Sequence, residues 1–133
     1  MAVCPCRAVF FVRNAPRALR FYTDELGFSL DWTYEHEGKP FVFQVSFLGL
    51  ELILNQTEPG TGDRPGHGRV FIGLDSDQAK AFKQHIENKR IKTTQLHWGA
   101  PTIAIHDLDQ NELFFWLPEA ERVQMEAGSA GAA

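Results

Sequence analysis

The sequence predicts an α+β domain built from two successive βαβββ halves, and three observations carry that reading. A β-branched and aromatic run, Arg7 to Arg13, leads straight into a capped helical stretch. The same strand-then-helix order restarts at His67. Between them, Thr57 to Gly66 has a proline and glycine density that suits neither a helix nor a ladder. The repeat is one of elements rather than of letters.

Each element has a local cause. Asn14 offers a side-chain cap, Pro16 falls in the first turn, and Ala15, Ala18, Leu19, Tyr22 and Leu26 recur at helical spacing. Gly27 then supplies a left-handed stop. Phe28 to Glu35, Pro40 to Leu48 and Leu50 to Asn55 follow as strands, separated by the polar turn 36–39 and by Gly49. In the second half His67 to Leu74 is a strand, and Asp75 with Gln78 forms a capping box for a helix marked by Ala79, Phe82 and Ile86. Ile91 to His97, Pro101 to His106 and Glu112 to Leu117 complete the strands, with Asp107 to Asn111 as the last turn. The halves are thus 7–55 and 67–117, joined by 56–66 and followed by a surface tail, 118–133, in a single domain spanning 1–133.

Composition narrows the function classes. Hydrophobic residues at 44% and charged residues at 23% are ordinary for a globular chain. No apolar run reaches the roughly 18 residues of a membrane span, so no membrane partner is expected. A net charge of -4 argues against nucleic acid and suits a cationic ligand. The opening residues lack a basic segment followed by an apolar one, so a cytoplasmic location is the expectation. Cys4 and Cys6 are too close to bridge without strain and have no second cluster at zinc spacing. None of His36, His67, His85, His97 and His106 sits in a nucleophile motif, and no glycine loop has the context to cradle phosphate.

Phe21-Tyr22-Thr23 leading to Leu26-Gly27-Phe28, and Trp98-Gly99 ahead of the last hairpin, resemble the glyoxalase/bleomycin resistance/dioxygenase superfamily, also called the vicinal oxygen chelate superfamily. The resemblance covers about residues 7 to 117 and specifies a fold better than a reaction. The family's turn is usually Asp-Pro-x-Gly-Asn, whereas here it is Asp107-Leu108-Asp109-Gln110-Asn111. The resemblance implies curled mixed sheets with helices on the outer face and alternate strand residues turned into a cup. Alternation then turns Arg7, Val9, Phe11 and Arg13 inward, with Glu51, Ile53, Asn55, Arg69, Phe71, Gly73, Glu112, Phe114 and Trp116.

Metal-dependent members of that superfamily take His or Glu ligands from four strands, and the resemblance places Arg7, Glu51, Arg69 and Phe114 at those positions. Only Glu51 could ligate, because a guanidinium stays protonated and offers no acceptor. The expectation is therefore no metal and no catalytic residue. The alternative shifts two positions along their strands and assembles Glu51, His67 and Glu112 around one divalent ion, as in a glyoxalase- or dioxygenase-like enzyme. Within the cup, Arg7 and Arg69 are expected to approach Glu51, leaving one positive charge unmatched.

The strand aromatics point to a ligand. Phe28, Leu30, Trp32 and Tyr34 form one expected row, and Phe41, Phe43, Val45 and Phe47 another. Trp32, Phe41, Phe43, Trp98, Phe114 and Trp116 offer more flat surface than a small cup needs, and such faces stack on planar or cationic ligands. This resembles the bleomycin-resistance branch, in which a metal-free homodimer sequesters a drug between subunits. The expected function is metal-independent binding of an antibiotic-type small molecule, with Arg7, Trp32, Phe41, Phe43, Glu51, Arg69, Trp98, Phe114 and Trp116 as ligand contacts. A binding module that regulates a partner is the third class.

Overall fold

The computed structural model describes residues 6–58, 60, 62–97 and 101–119. Trp98, Gly99, Cys4 and the tail beyond Glu119 lie outside the described residues. The first half runs β1 (Ala8–Val12), α1 (Ala15–Arg20), a π-helical turn (Phe21–Glu25), β2 (Ser29–His36), β3 (Lys39–Phe47) and β4 (Leu50–Gln56). The second runs β5 (Arg69–Gly73), α2 (Ser76–Lys89), β6 (Thr94–His97), β7 (Pro101–His106) and β8 (Glu112–Trp116). This is the expected α+β order of two βαβββ halves. Each half makes a four-stranded mixed sheet, ordered β1-β4-β3-β2 and β5-β8-β7-β6. In each, the first strand lies parallel to the last of its half and the other pairs are antiparallel. The chain divides into two compact units, one ending at Gly68 but taking in Asp107–Asn111, the other Arg69–His106 with the chain from Glu112 onward.

In the first unit the helix packs on the sheet through Ala15, Ala18, Tyr22 and Leu26, all buried. Opposite them are Phe10 and Val12 of β1, Phe43 and Val45 of β3, and Leu52 and Leu54 of β4, which alternation places on one face. Tyr22 meets Phe28 edge-on at 5.3 Å and Phe28 stacks on Phe47 at 5.1 Å, closing this core. The sequence expects one regular helix up to Gly27, but the last turn widens. Leu26 N donates to Phe21 O, five residues back, at 3.1 Å. The Thr23 hydroxyl also competes for the Leu19 carbonyl at 2.9 Å. Gly27 (φ 80) then lets Phe28 N reach Tyr22 O at 2.9 Å and ends the helix.

The second unit repeats the logic. The Asp75 capping box is present, and Phe82 of α2 stacks on Phe115 of β8 at 4.1 Å. Helix α2 closes with Arg90 in the left-handed conformation (φ 53) and Ile91 N bonded to Ile86 O at 3.0 Å. Ile91 therefore belongs to the helix stop, and β6 begins at Thr94 rather than at Ile91 as the sequence suggests. Likewise β5 begins at Arg69 rather than His67, because Gly68 is held in the preceding loop by Asn111 Oδ1 at 2.9 Å.

One departure redirects side chains. Leu30 pairs with Val45 but Trp32 pairs with Gln44, so β2 advances two residues while β3 advances one. This bulge at Asp31 breaks the expected continuous row of Phe28, Leu30, Trp32 and Tyr34. Leu30 stays in register with the helix-facing Val45, whereas Trp32 and Tyr34 pair with Gln44 and Val42 on the opposite face.

Candidate functional site

The face of the first sheet turned away from α1 collects the residues that can meet a ligand. Successive cross-strand rows place Ser29, Ser46 and Glu51 together, then Trp32, Gln44, Ile53 and Val9, then Tyr34, Val42, Asn55 and Phe11. Trp32 is 42% exposed, Tyr34 56% and Val9 44%, so this face carries bare apolar surface beside its polar groups.

Its polar corner is a connected chain of hydrogen bonds. Arg7 Nε donates to Glu51 Oε2 at 2.6 Å. Gln44 Nε2 donates to the same Glu51 oxygen at 3.2 Å and to Asp31 Oδ2 at 2.9 Å. The Ser46 hydroxyl donates to Asp31 Oδ1 at 2.9 Å. Gln44 is buried, and its Oε1 has no hydrogen-bond partner. A recess of about 390 Å³ opens beside this corner, lined in part by Ser29, Ser46, Phe47 and Glu51.

At the other end of the face Arg13 pairs with Asp109 at 3.0 Å and Asp63 at 3.6 Å, and the Arg64 guanidinium lies 5.0 Å from the Phe11 ring centre. The 107–111 turn belongs to this unit because its buried acid is a hub. Asp107 Oδ1 accepts from the Asp109 and Asn111 amides, each at 2.9 Å. Its Oδ2 accepts from the Tyr22 hydroxyl at 2.9 Å and from Asn111 Nδ2 at 3.0 Å. Burial pushes the Asp107 carboxyl above its ordinary range, with the four donated bonds pulling against that shift. Burial, and then the Asp107 charge, raise the Tyr22 hydroxyl well above its usual value, so it remains a donor. Gln110 takes φ 77, in the left-handed region that favours glycine.

In the second unit the corresponding face carries Arg69, Phe71, Glu112, Phe114 and Trp116. The parallel register sets Arg69 against Glu112, and Arg69 Nη2 reaches the two carboxylate oxygens at 3.2 and 3.4 Å. His106 Nε2 lies 3.8 Å from Glu112 Oε2. The Arg69 guanidinium covers the Phe114 ring at 4.5 Å, and Phe71, 48% exposed, meets Trp116 at 5.8 Å.

Several sequence expectations are thereby sharpened or corrected. Arg7 and Glu51 do come together, and Trp116 lies on the face that alternation predicts. Glu51, however, is shared by Arg7 and Gln44, while Arg69 takes its carboxylate from Glu112 in its own sheet. In the polar corner of the first sheet the charge left over is therefore negative and belongs to Asp31, for which no cationic partner occurs among the described residues. Phe43 is buried in the helix-side core, whereas Phe41 falls at a second register shift, between Tyr34 and Glu35, and its ring lies 6.1 Å from that of His36. Phe114 is buried beneath Arg69. Asp31, Tyr34, Gln44, Ser46 and Phe71 are not among the expected ligand contacts; Phe71 has a sequence signal in the inward alternation of β5 and Tyr34 in the apolar row of β2.

Each member of the alternative metal set has another partner within its own unit. Both carboxylates carry a guanidinium, and His67 is exposed with Asp63 at 3.6 Å from its Nε2. Among the described residues no group of three or more His, Cys, Asp or Glu side chains is placed to hold a metal ion.

Comparison with known proteins agrees with the fold. The sequence model of the Glyoxalase/Bleomycin resistance protein/Dioxygenase superfamily matches residues 7–113. No curated protein matches the chain in sequence. Among solved structures, the bleomycin-binding protein of Streptomyces verticillus, complexed with copper(II)-bleomycin, is 15% identical with a TM-score of 0.62, over 90% of this chain and 99% of that one. An antibiotic binding protein from a Streptomyces species is 20% identical with a TM-score of 0.60, over 90% and 99%. A lactoylglutathione lyase from Agrobacterium tumefaciens is 15% identical with a TM-score of 0.58, over 90% and 96%. At these identities the likeness is one of fold.

Proposed function

The chain belongs to the Glyoxalase/Bleomycin resistance protein/Dioxygenase superfamily, and we propose that within it this protein is a metal-independent, cytoplasmic homodimer that binds and sequesters an antibiotic-type small molecule. The observation that carries this reading is the state of the two acids that a metal site in this chain would have to use. Glu51 and Glu112 are each tied to a guanidinium, an arrangement that opposes a bound cation at the same oxygens. What the first sheet offers instead is binding surface: exposed Trp32 and Tyr34 beside a fixed polar corner. A binder needs no acid, base or Lewis acid, only flat apolar area and a few oriented polar groups.

The dimer reading rests on β2. This strand is the edge of its sheet, is exposed along its length, and carries Leu30, Trp32 and Tyr34 bare. Such an edge invites cover by a second chain. Light scattering after exclusion chromatography should give about twice the 15.0 kDa of one chain; the mass of one chain would remove the dimer from the proposal.

Fluorescence titration tests the binding itself. A panel of planar aromatic antibiotics, bleomycin included, should contain at least one that saturably quenches the tryptophan emission. Trp32→Ala should weaken that ligand roughly tenfold, about 1.4 kcal/mol, the upper end for one stacked ring. A panel with no saturable response, or turnover of lactoylglutathione by the protein, would count against the proposal.

A further inference from the structure

We infer that the corner formed by Asp31, Gln44, Ser46 and Glu51 is a subsite for an alkylammonium group on the ligand. The inference rests on the small-molecule binding reading and names a chemical feature of what is bound.

An exposed acid on an edge strand ordinarily serves to discourage pairing with another chain and is solvated. Asp31 differs in how it is placed. The bulge between Leu30 and Trp32 swings it onto the face of Gln44 and Ser46. There Gln44 Nε2 and the Ser46 hydroxyl each hold one of its oxygens at 2.9 Å. An acid clamped at both oxygens has lost the freedom of a solvated side chain and presents its charge in one direction.

Gln44 supplies the independent observation. It is 5% exposed, and its amide lies between two carboxylates, Asp31 and Glu51. That surrounding fixes which end is nitrogen, because a reversed amide would set a carbonyl oxygen against two anions. Its Oε1 is consequently left buried and without a donor. The corner as a whole has more acceptors than donors: two carboxylates and an amide oxygen against Arg7, the Gln44 amide and the Ser46 hydroxyl. Arg7 balances Glu51, and the charge of Asp31 remains.

A group that answers this arrangement carries a positive charge and several N–H donors. An alkylammonium does both, and the recess of about 390 Å³ lined by Ser29, Ser46 and Glu51 gives it room next to Glu51 and to the Ser46 hydroxyl that holds Asp31. The adjacent Trp32 and Tyr34 suit an aromatic body attached to the amine. A divalent metal fits less well, since only two carboxylates are present and Arg7 already occupies one of them.

Phenethylammonium and its neutral N-acetyl derivative are matched probes for a nitrogen-15 NMR titration. The inference expects saturable shifts of the Gln44 side-chain amide and of the Ser46 backbone amide with the amine. The amine should bind roughly five- to tenfold more tightly than the acetylated form, within the range of exposed to partly buried ion pairs. Asp31→Asn should abolish that preference while leaving the spectrum folded. Equal affinity for the two probes with shifts confined to the Trp32 indole would overturn the subsite and leave the aromatic binding reading standing. No saturable shift from either probe would overturn the subsite and count against the binding reading as well. Tighter saturation of the Gln44 resonances by magnesium or calcium chloride would also overturn the inference, since it would assign the corner to a metal.

Discussion

Replacing Tyr22 with phenylalanine tests how the 107–111 turn is held. The substitution removes one oxygen and leaves the ring contacts with Phe21 and Phe28 in place. Tyr22 is wholly buried and Asp107 is 4% exposed, so water cannot replace the lost donor. The bond removed is a 2.9 Å donation to a carboxylate oxygen that keeps only Asn111 Nδ2, at 3.0 Å. A hydrogen bond to a buried charged group contributes about 1.5–3 kcal/mol, so Tyr22→Phe should cost about 2 kcal/mol, roughly a thirtyfold shift toward the unfolded state. Urea denaturation should show a lower midpoint with an unchanged slope. Hydrogen exchange at the Asp109 and Asn111 amides, both held by Asp107 Oδ1, should quicken together. A loss below about 0.5 kcal/mol would refute the claim that the phenol anchors this turn.

Two further outcomes follow from the same packing. Burial raises the Asp107 carboxyl, so between its ordinary value and the raised one the folded state holds more protons than the unfolded state. The stability contributed by this group is therefore fullest on the acid side and falls as pH rises through the raised value; stability curves for Asp107→Asn should lack that decline, and a parallel decline in the variant would assign it elsewhere. Gly68→Ala should destabilise by about 1–3 kcal/mol, because a Cβ there would meet the Phe10 ring at 2.5 Å and Asn111 Oδ1 at 2.9 Å; thermal melting identical to the parent would show that the loop simply moves aside.

The sequence made much of this architecture legible through short-range rules. Alternation assigned both faces of β1, β4, β5 and β8 correctly, since Phe10 and Val12, Leu52 and Leu54, and Leu113 and Phe115 all point into helix-covered cores. The Asp75 capping box and the Gly27 stop were readable because their partners lie within a few residues. Long-range facts were not readable. The bulge at Asp31 depends on pairing with β3, and it reversed the face expected for Leu30 relative to Trp32. The partner of Arg69 is Glu112, 43 residues away, through a parallel register that no local pattern encodes. Phe43 looked available because an aromatic strand reads alike whether its row meets a helix or a ligand. No sequence signal marked Gln44, which gains its importance from the two acids that the sheet brings to its amide.

The central claim is that binding here needs no metal, and isothermal calorimetry on protein stripped with a chelator tests it most directly. Titrated in the continued presence of EDTA, the antibiotic that quenches tryptophan emission should bind with the affinity it shows for untreated protein, and elemental analysis should find well under one metal per chain. Binding that vanishes on stripping and returns with one equivalent of a divalent ion would contradict the account.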